Sequence, residues 1–84
     1  MKTGYIIQIT FTDEPYEGYT SFISKRQFVV DPEQVRMSNF DAYTTKYTCQ
    51  KACDRLQDYS DRYCKHLNQP HAEFTLYEVQ YYIA

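Results

Sequence analysis

Between Tyr5 and Thr12 the chain alternates without a fault. Tyr5, Ile7, Ile9 and Phe11 fall on one side, and Ile6, Gln8, Thr10 and Thr12 on the other. A side-chain period of two belongs to a β-strand with one buried face; a helix would scatter those four large residues around its axis. The chain must therefore build a sheet around this strand and supply a cover for its apolar side.

The cover is expected from a helix that begins near Thr44 or Thr45 and runs to about His66. At 100° per residue, Cys49, Ala52, Cys53, Leu56, Tyr59, Ser60, Tyr63, Cys64 and Leu67 share a stripe of roughly 140°. Gln50, Lys51, Asp54, Arg55, Gln57, Asp58, Asp61 and Lys65 occupy the remainder. Asp58 with Arg62 and Asp61 with Lys65 are i, i+4 pairs in the favourable order, each worth roughly a few tenths of a kcal/mol. Asn68-Gln69-Pro70 ends the helix.

Turn chemistry separates the other elements. Asp13-Glu14-Pro15-Tyr16-Glu17-Gly18 reads as an acidic hairpin loop, because proline fixes φ and glycine accepts a positive one. A second extended stretch spans Tyr19 to about Val30; its polar middle, Ser24-Lys25-Arg26-Gln27, makes it one bulged strand or two short ones. Asp31-Pro32-Glu33-Gln34 is a helix-start signal for a turn or two, with Asp31 as N-cap. The last strand covers about Ala72 to Ile83. Phe74 and Leu76 have one phase and Tyr77, Val79, Tyr81 and Ile83 the other, which predicts a bulge near Leu76-Tyr77 or a strand apolar on both faces.

This order gives a two-layer α+β domain of ββαβ layout over residues 1–84: a three-stranded antiparallel sheet, order 2-1-3, with one main helix on one face. The length of 84 residues fits one domain, close to the lower end of what buries a core alone. The opposite sheet face would carry Ile6, Gln8, Thr10, Glu78, Gln80 and Tyr82, joined by Phe74 or Leu76 if the strand is bulged, a mixture too polar for a core and too aromatic for a plain solvated surface. Ten tyrosines, five phenylalanines and no tryptophan add to that reading, since tyrosine joins an apolar ring to a polar tip. Tyr16 and Tyr19 flank the acids Asp13, Glu14 and Glu17 in a composition suited to a protein-binding tip. The expected partner-binding residues are Glu14, Tyr16, Glu17, Tyr19, Gln8, Glu78, Gln80 and Tyr82.

Other chemistries find little support. A formal charge of −2 and a pI near 5.5 lack the basic footprint of a DNA coater. Lys25 and Arg26 are the only adjacent basic pair to frame aromatics for single-stranded nucleic acid or a nucleotide. Two glycines leave no glycine-rich phosphate loop. Cys49 and Cys53 have a spacing that can clamp a metal, but Cys64 lies about 16 Å further along the helix, and tetrahedral zinc needs four close ligands. The cysteines are expected as buried small apolar residues. A Cys64–His66 or Cys64–His71 nucleophile pair would sit on the buried stripe with no oxyanion loop. No catalytic, cofactor-binding or metal-binding residue is predicted. No apolar run reaches the roughly 20 residues of a membrane span. Tyr5-Ile6-Ile7-Gln8-Ile9 is too short and too alternating for a signal peptide, and three unpatterned cysteines suit a reducing compartment, so the expected location is cytoplasmic.

In layout, Tyr5-Ile6-Ile7-Gln8-Ile9, Tyr19-Thr20-Ser21-Phe22-Ile23-Ser24, Phe28-Val29-Val30-Asp31, the helix around Ala52 and Phe74-Thr75-Leu76-Tyr77-Glu78-Val79 together resemble small accessory proteins of bacteriophages and mobile elements, anti-CRISPR proteins among them. The likeness covers about residues 5 to 83 and transfers no site residue. It implies a stoichiometric binder that blocks a host complex. The expected function is a non-enzymatic protein–protein interaction module, such as an inhibitor of a CRISPR effector. The alternatives are a single-stranded nucleic-acid or small-nucleotide binder and a structural homodimer.

Overall fold

The computed structural model describes residues 2–25 and 42–81. It contains β1 (Lys2–Phe11), β2 (Thr20–Ile23), α1 (Lys46–Tyr63) and β3 (Ala72–Tyr81), with a sheet in the order β2-β1-β3. Both pairings are antiparallel, so the fold is the expected ββαβ arrangement. The Asp31 capping turn, the stretch from Arg26 to Val30, and Tyr82 and Ile83 lie outside the described residues.

β1 starts three residues earlier than the alternation suggests, because Lys2, Thr3 and Gly4 pair with Tyr81, Gln80 and Val79. Its register with β3 is unbroken from Lys2↔Tyr81 to Phe11↔Ala72. There is no bulge at Leu76-Tyr77. The phase change in β3 instead marks a strand apolar on both faces: Leu76 and Phe74 sit beside Ile7 and Ile9, whereas Tyr77 and Val79 sit beside Ile6 and Gly4.

Thr45 caps the start of α1, its Oγ1 accepting the Thr48 N–H at 3.2 Å, one of the amide groups a helix start leaves unpaired. Beyond Tyr63 another turn follows, closed by Leu67 N–H to the Tyr63 carbonyl at 3.0 Å. Asn68 then takes φ 55°, and Gln69 N–H reaches back to the Cys64 carbonyl at 2.9 Å. That bond and the left-handed Asn68 form a Schellman stop, with Pro70 just beyond.

α1 packs on the sheet through small residues. Cys49, Ala52 and Cys53 are buried against Ile7, with Tyr5, Ile23, Tyr43, Leu56, Phe74 and Leu76 around them. Cys49 Sγ lies 3.5 Å from the Ile6 carbonyl, a closeness that a longer side chain would prevent. The predicted stripe is wider than the buried one: Tyr59, Tyr63 and Leu67 are about half exposed, and the two tyrosine rings lean together at 5.1 Å.

The face away from α1 is not open where the sequence suggests. Ile6 is 0% exposed and clusters with Ala42 and Val79, with Phe22 packed against them. The Phe22 and Tyr77 rings, from the two outer strands, meet edge to face at 5.0 Å across β1. Tyr43 sets this up. It exchanges both backbone hydrogen bonds with Tyr5, at 2.9 and 2.7 Å, and so occupies the place beside β1 that the short β2 leaves unfilled. Tyr43 then joins the helix-side cluster and its neighbour Ala42 the other one.

Polar side chains of α1 close part of the outer edge of β3. Ser60 Oγ accepts the Ala72 N–H at 3.1 Å, and Gln57 Oε1 accepts the Phe74 N–H at 2.9 Å. Gln57 Nε2 donates to the Ala72 carbonyl at 3.0 Å, so the Gln57 amide substitutes for a neighbouring peptide group. No helix among the described residues is long and apolar enough to cross a membrane.

Because Ile6 is as deeply buried as Ile7, truncating either leaves a cavity. Ile6→Ala and Ile7→Ala should each lose about 2–5 kcal/mol of unfolding free energy in urea titrations. A loss below about 1 kcal/mol for Ile6→Ala alone would mean that its face is open to water.

Candidate protein interaction site

The hairpin between β1 and β2 is built from short-range bonds. Tyr16 N–H reaches the Asp13 carbonyl at 3.0 Å and Tyr19 N–H the Tyr16 carbonyl at 2.9 Å. Phe11 receives Gly18 N–H at its carbonyl and donates its own N–H to the Tyr19 carbonyl, so two residues oppose one. Gly18 at φ 87° is the glycine that such a G1 bulge places in the left-handed region.

Its base is sewn to the far side of the sheet. Thr12 N–H donates to the His71 carbonyl at 3.0 Å, and His71 N–H donates to Asp13 Oδ2 at 2.9 Å. The His71 ring lies between Thr12 Oγ1 at Nδ1 and Asp61 Oδ1 at Nε2, 2.7 Å from each. Asp61 also accepts from Gln57 at 3.0 Å. The predicted Asp58–Arg62 pair forms at 2.9 Å, while Asp61 engages His71, ten residues on, in preference to the local geometry that suggested Lys65. The hydrogen bond from His71, then that from Gln57, holds the Asp61 carboxyl below its ordinary value of 3.8.

This lacing divides the three loop acids. Asp13 is committed to the fold, whereas Glu14 and Glu17 are exposed and have no ion-pair or hydrogen-bond partner among the described residues. Beside them Tyr16 is 50% and Tyr19 68% exposed. Tyr16 leans on Phe11 with ring centroids 5.9 Å apart. Phe11, Pro15, Tyr16, Tyr19, Thr20, Ser21 and Pro70 line an open groove of about 810 Å³. Phe11 and Pro70 also border an apolar furrow between α1 and the sheet, with Ile9, Ile23, Leu56 and Tyr59 on its walls. The tip thus offers aromatic walls and two exposed carboxylates that have no partner among the described residues. Such a surface suits polypeptide contact, where tyrosine supplies area at low entropic cost.

The structure brings together Glu14, Tyr16, Glu17 and Tyr19 and separates them from the other predicted residues. Gln8 is half-buried in the centre of the sheet, on the Phe22 side. Glu78 and Gln80 are not on that face: they pair with Tyr5 and Thr3 and share the helix-side phase, because the unbroken register fixes every even residue of β3 there. From Tyr5 to the tip is about 20 Å at the rise of a strand. Tyr82 lies outside the described residues. Phe11, Pro15 and Pro70 were not singled out by sequence reasoning. Pro70 comes from the far end of α1, and no local pattern signals that approach.

The cysteines are free and buried. Removal from water, and then the neighbouring Cys53, push the Cys49 thiol up to about 12, and burial pushes Cys53 up as well. No group of three His, Cys, Asp or Glu side chains among the described residues is arranged to hold a metal ion.

Two outcomes follow from these environments. At pH 8, Ellman's reagent should leave Cys49 and Cys53 unmodified in the folded protein and react with all thiols in denaturant, since only exposed thiolate reacts. Because the folded Asp61 pKa is depressed, its contribution to stability is complete above the unfolded value and disappears as pH falls through the lower, folded one. Urea titrations between about pH 5 and pH 2 should therefore show the advantage of wild type over Asp61→Asn shrinking with acid. A constant difference would place the Asp61 bonds outside the folding equilibrium.

Comparison with known proteins adds no further constraint, for no family model, curated protein or solved structure matches the chain. What this surface does has to be read from its geometry.

Proposed function

We propose that this protein is a non-enzymatic protein-binding module whose hairpin tip occupies a basic site on its partner. One observation carries the reading. Glu14 and Glu17 have no partner among the described residues and sit with two exposed tyrosines on a loop anchored by Asp13 and Thr12, beside an open aromatic groove. Anchoring matters because a loop already held in place loses little conformational freedom on binding. Aromatic side chains in a pocketed patch are the usual source of interface energy, and the carboxylates give charge complementarity and speed encounter.

Blocking a site on a host complex, as the resemblance to phage and mobile-element accessory proteins implies, is one use of such a tip. Exposed carboxylates can stand in for a nucleic acid's phosphates, so the natural target is a basic groove, including one that binds nucleic acid in a CRISPR effector. The small-nucleotide and nucleic-acid alternative fits less well, since the groove is bordered by carboxylates and Lys25 is the described member of the basic pair.

The test is affinity capture from nuclease-treated lysate of the source cell, followed by binding titrations with the retained protein. Glu14→Lys/Glu17→Lys and Tyr19→Ser should each weaken binding about tenfold or more with an unchanged melting temperature. Wild-type affinity in both variants would remove the tip from the interface.

A further inference from the structure

Among the described residues, partners close one half of the outer edge of β3 and none lies along the other half. In the register with β1, odd residues of β3 direct their peptide groups inward and even residues direct theirs outward. Ala72 and Phe74 are outward residues whose amide groups are taken up by Ser60 and Gln57. Leu76, Glu78 and Gln80 follow in the same phase, and their outward N–H and C=O groups have no partner among the described residues. The strand has ten residues, Ala-Glu-Phe-Thr-Leu-Tyr-Glu-Val-Gln-Tyr, without proline, glycine, lysine or arginine. Proteins usually blunt a free edge with proline, a bulge or a charged side chain, lysine above all; in this half the one such device is the carboxylate of Glu78.

We propose that Leu76, Glu78 and Gln80 form a docking edge for an extended segment of a partner protein that sets a cationic residue opposite Glu78. The spacing dictates the backbone of the occupant. Donors and acceptors recurring every second residue, about 7 Å apart, match another strand and little else. The charge at the central position dictates the rest. Glu78 is exposed, and its described side-chain neighbour is Gln80, whose Nε2 donates to Glu78 Oε1 at 3.2 Å. No cation among the described residues pairs with it.

A second copy of the chain is a poor occupant for a geometric reason. An antiparallel two-fold pairing that uses all three open residues sets Leu76 against Gln80 and Glu78 against Glu78 of the other copy. Like charges directly opposite destabilise a ladder. Sliding the pairing so that Leu76 meets Glu78 drives Gln80 onto Phe74, where Gln57 already sits. Sliding it the other way sets Glu78 against Gln80 and Leu76 against residue 82, which lies outside the described residues. A parallel pairing of identical edges does not close into a dimer. Glu78 thus acts against self-association and selects a partner strand of opposite charge. This edge lies at the end of the sheet remote from the hairpin tip and does not depend on the function proposed for that tip.

The test uses the whole chain and amide hydrogen exchange followed by NMR. In the free protein, the amides of Leu76, Glu78 and Gln80 should exchange at least roughly a hundredfold faster than those of Thr75, Tyr77 and Val79, which face β1. The probe is the capped peptide Thr-Val-Thr-Lys-Thr-Val-Thr at millimolar concentration. It should slow exchange at the three open amides about tenfold, an occupancy effect expected of a ligand well above its Kd. The same peptide with Glu at its centre, or with alternate backbone nitrogens methylated, should leave exchange unchanged, and Glu78→Lys should reverse the preference between Lys and Glu. Slow exchange at these amides in a free monomer would overturn the proposal. So would a dimer by light scattering, equal protection by the two peptides, or no protection by the Lys-centred one.

Discussion

Ile6 and Ile7 are adjacent in the central strand, point to opposite faces and both lose essentially all contact with water. Both buried clusters of the described structure are built around one or the other. Ile7 is covered by α1, which comes close because its contact residues are Cys49, Ala52 and Cys53. Ile6 is covered by Ala42 and Val79, with Phe22 beside them. Burying such a side chain contributes roughly 1.5–3 kcal/mol, and in so short a chain the two faces have to share that work. A three-stranded sheet with a single core would leave one face wet.

The helix also deals with polar groups that the sheet leaves exposed. A glutamine and a serine at Gln57 and Ser60 take the outward amides of Ala72 and Phe74, and Asp61 takes the ring of His71. These three sit within four residues of one another on α1. A backbone group withdrawn from water needs a partner, and the region where α1 crosses the start of β3 is where withdrawal occurs. Past Phe74 the helix no longer meets that need, and no other described residue takes up the outward groups of β3. One geometric fact, the place where α1 leaves the edge, divides the strand into a structural half and an available half.

The same division runs through the hairpin. Asp13, Glu14 and Glu17 look equivalent in a sequence of turn-forming acids. In the fold Asp13 is a structural ligand of the His71 amide, whereas Glu14 and Glu17 face solvent. The aromatic groove beside them takes Phe11 and Pro15 from the hairpin and Pro70 from the end of the helix. The tip is therefore a junction between distant parts of the chain, held by bonds to His71 as well as by its own turns.

Period-two alternation in β1, the helical stripe from Cys49 onward and the turn residues at Asp13–Gly18 and Asn68–Pro70 were enough to determine the described elements, their antiparallel order and the buried cysteines. These are local properties: side-chain periodicity and backbone preference are written within a few residues. The grouping of Glu14, Tyr16, Glu17 and Tyr19 was legible for the same reason, since all four share one loop. Tertiary structure alone decided the faces of β3, because a strand with apolar residues in both phases has no preferred side until its register with β1 is set. That register moved Glu78 and Gln80 away from Gln8, turned an expected open surface into a second core around Ile6, and left the amides of Leu76, Glu78 and Gln80 without a partner among the described residues. It also joined Asp61 and Asp13 to His71. Those contacts depend on chain closure over ten to about sixty residues, and no local pattern encodes such closure.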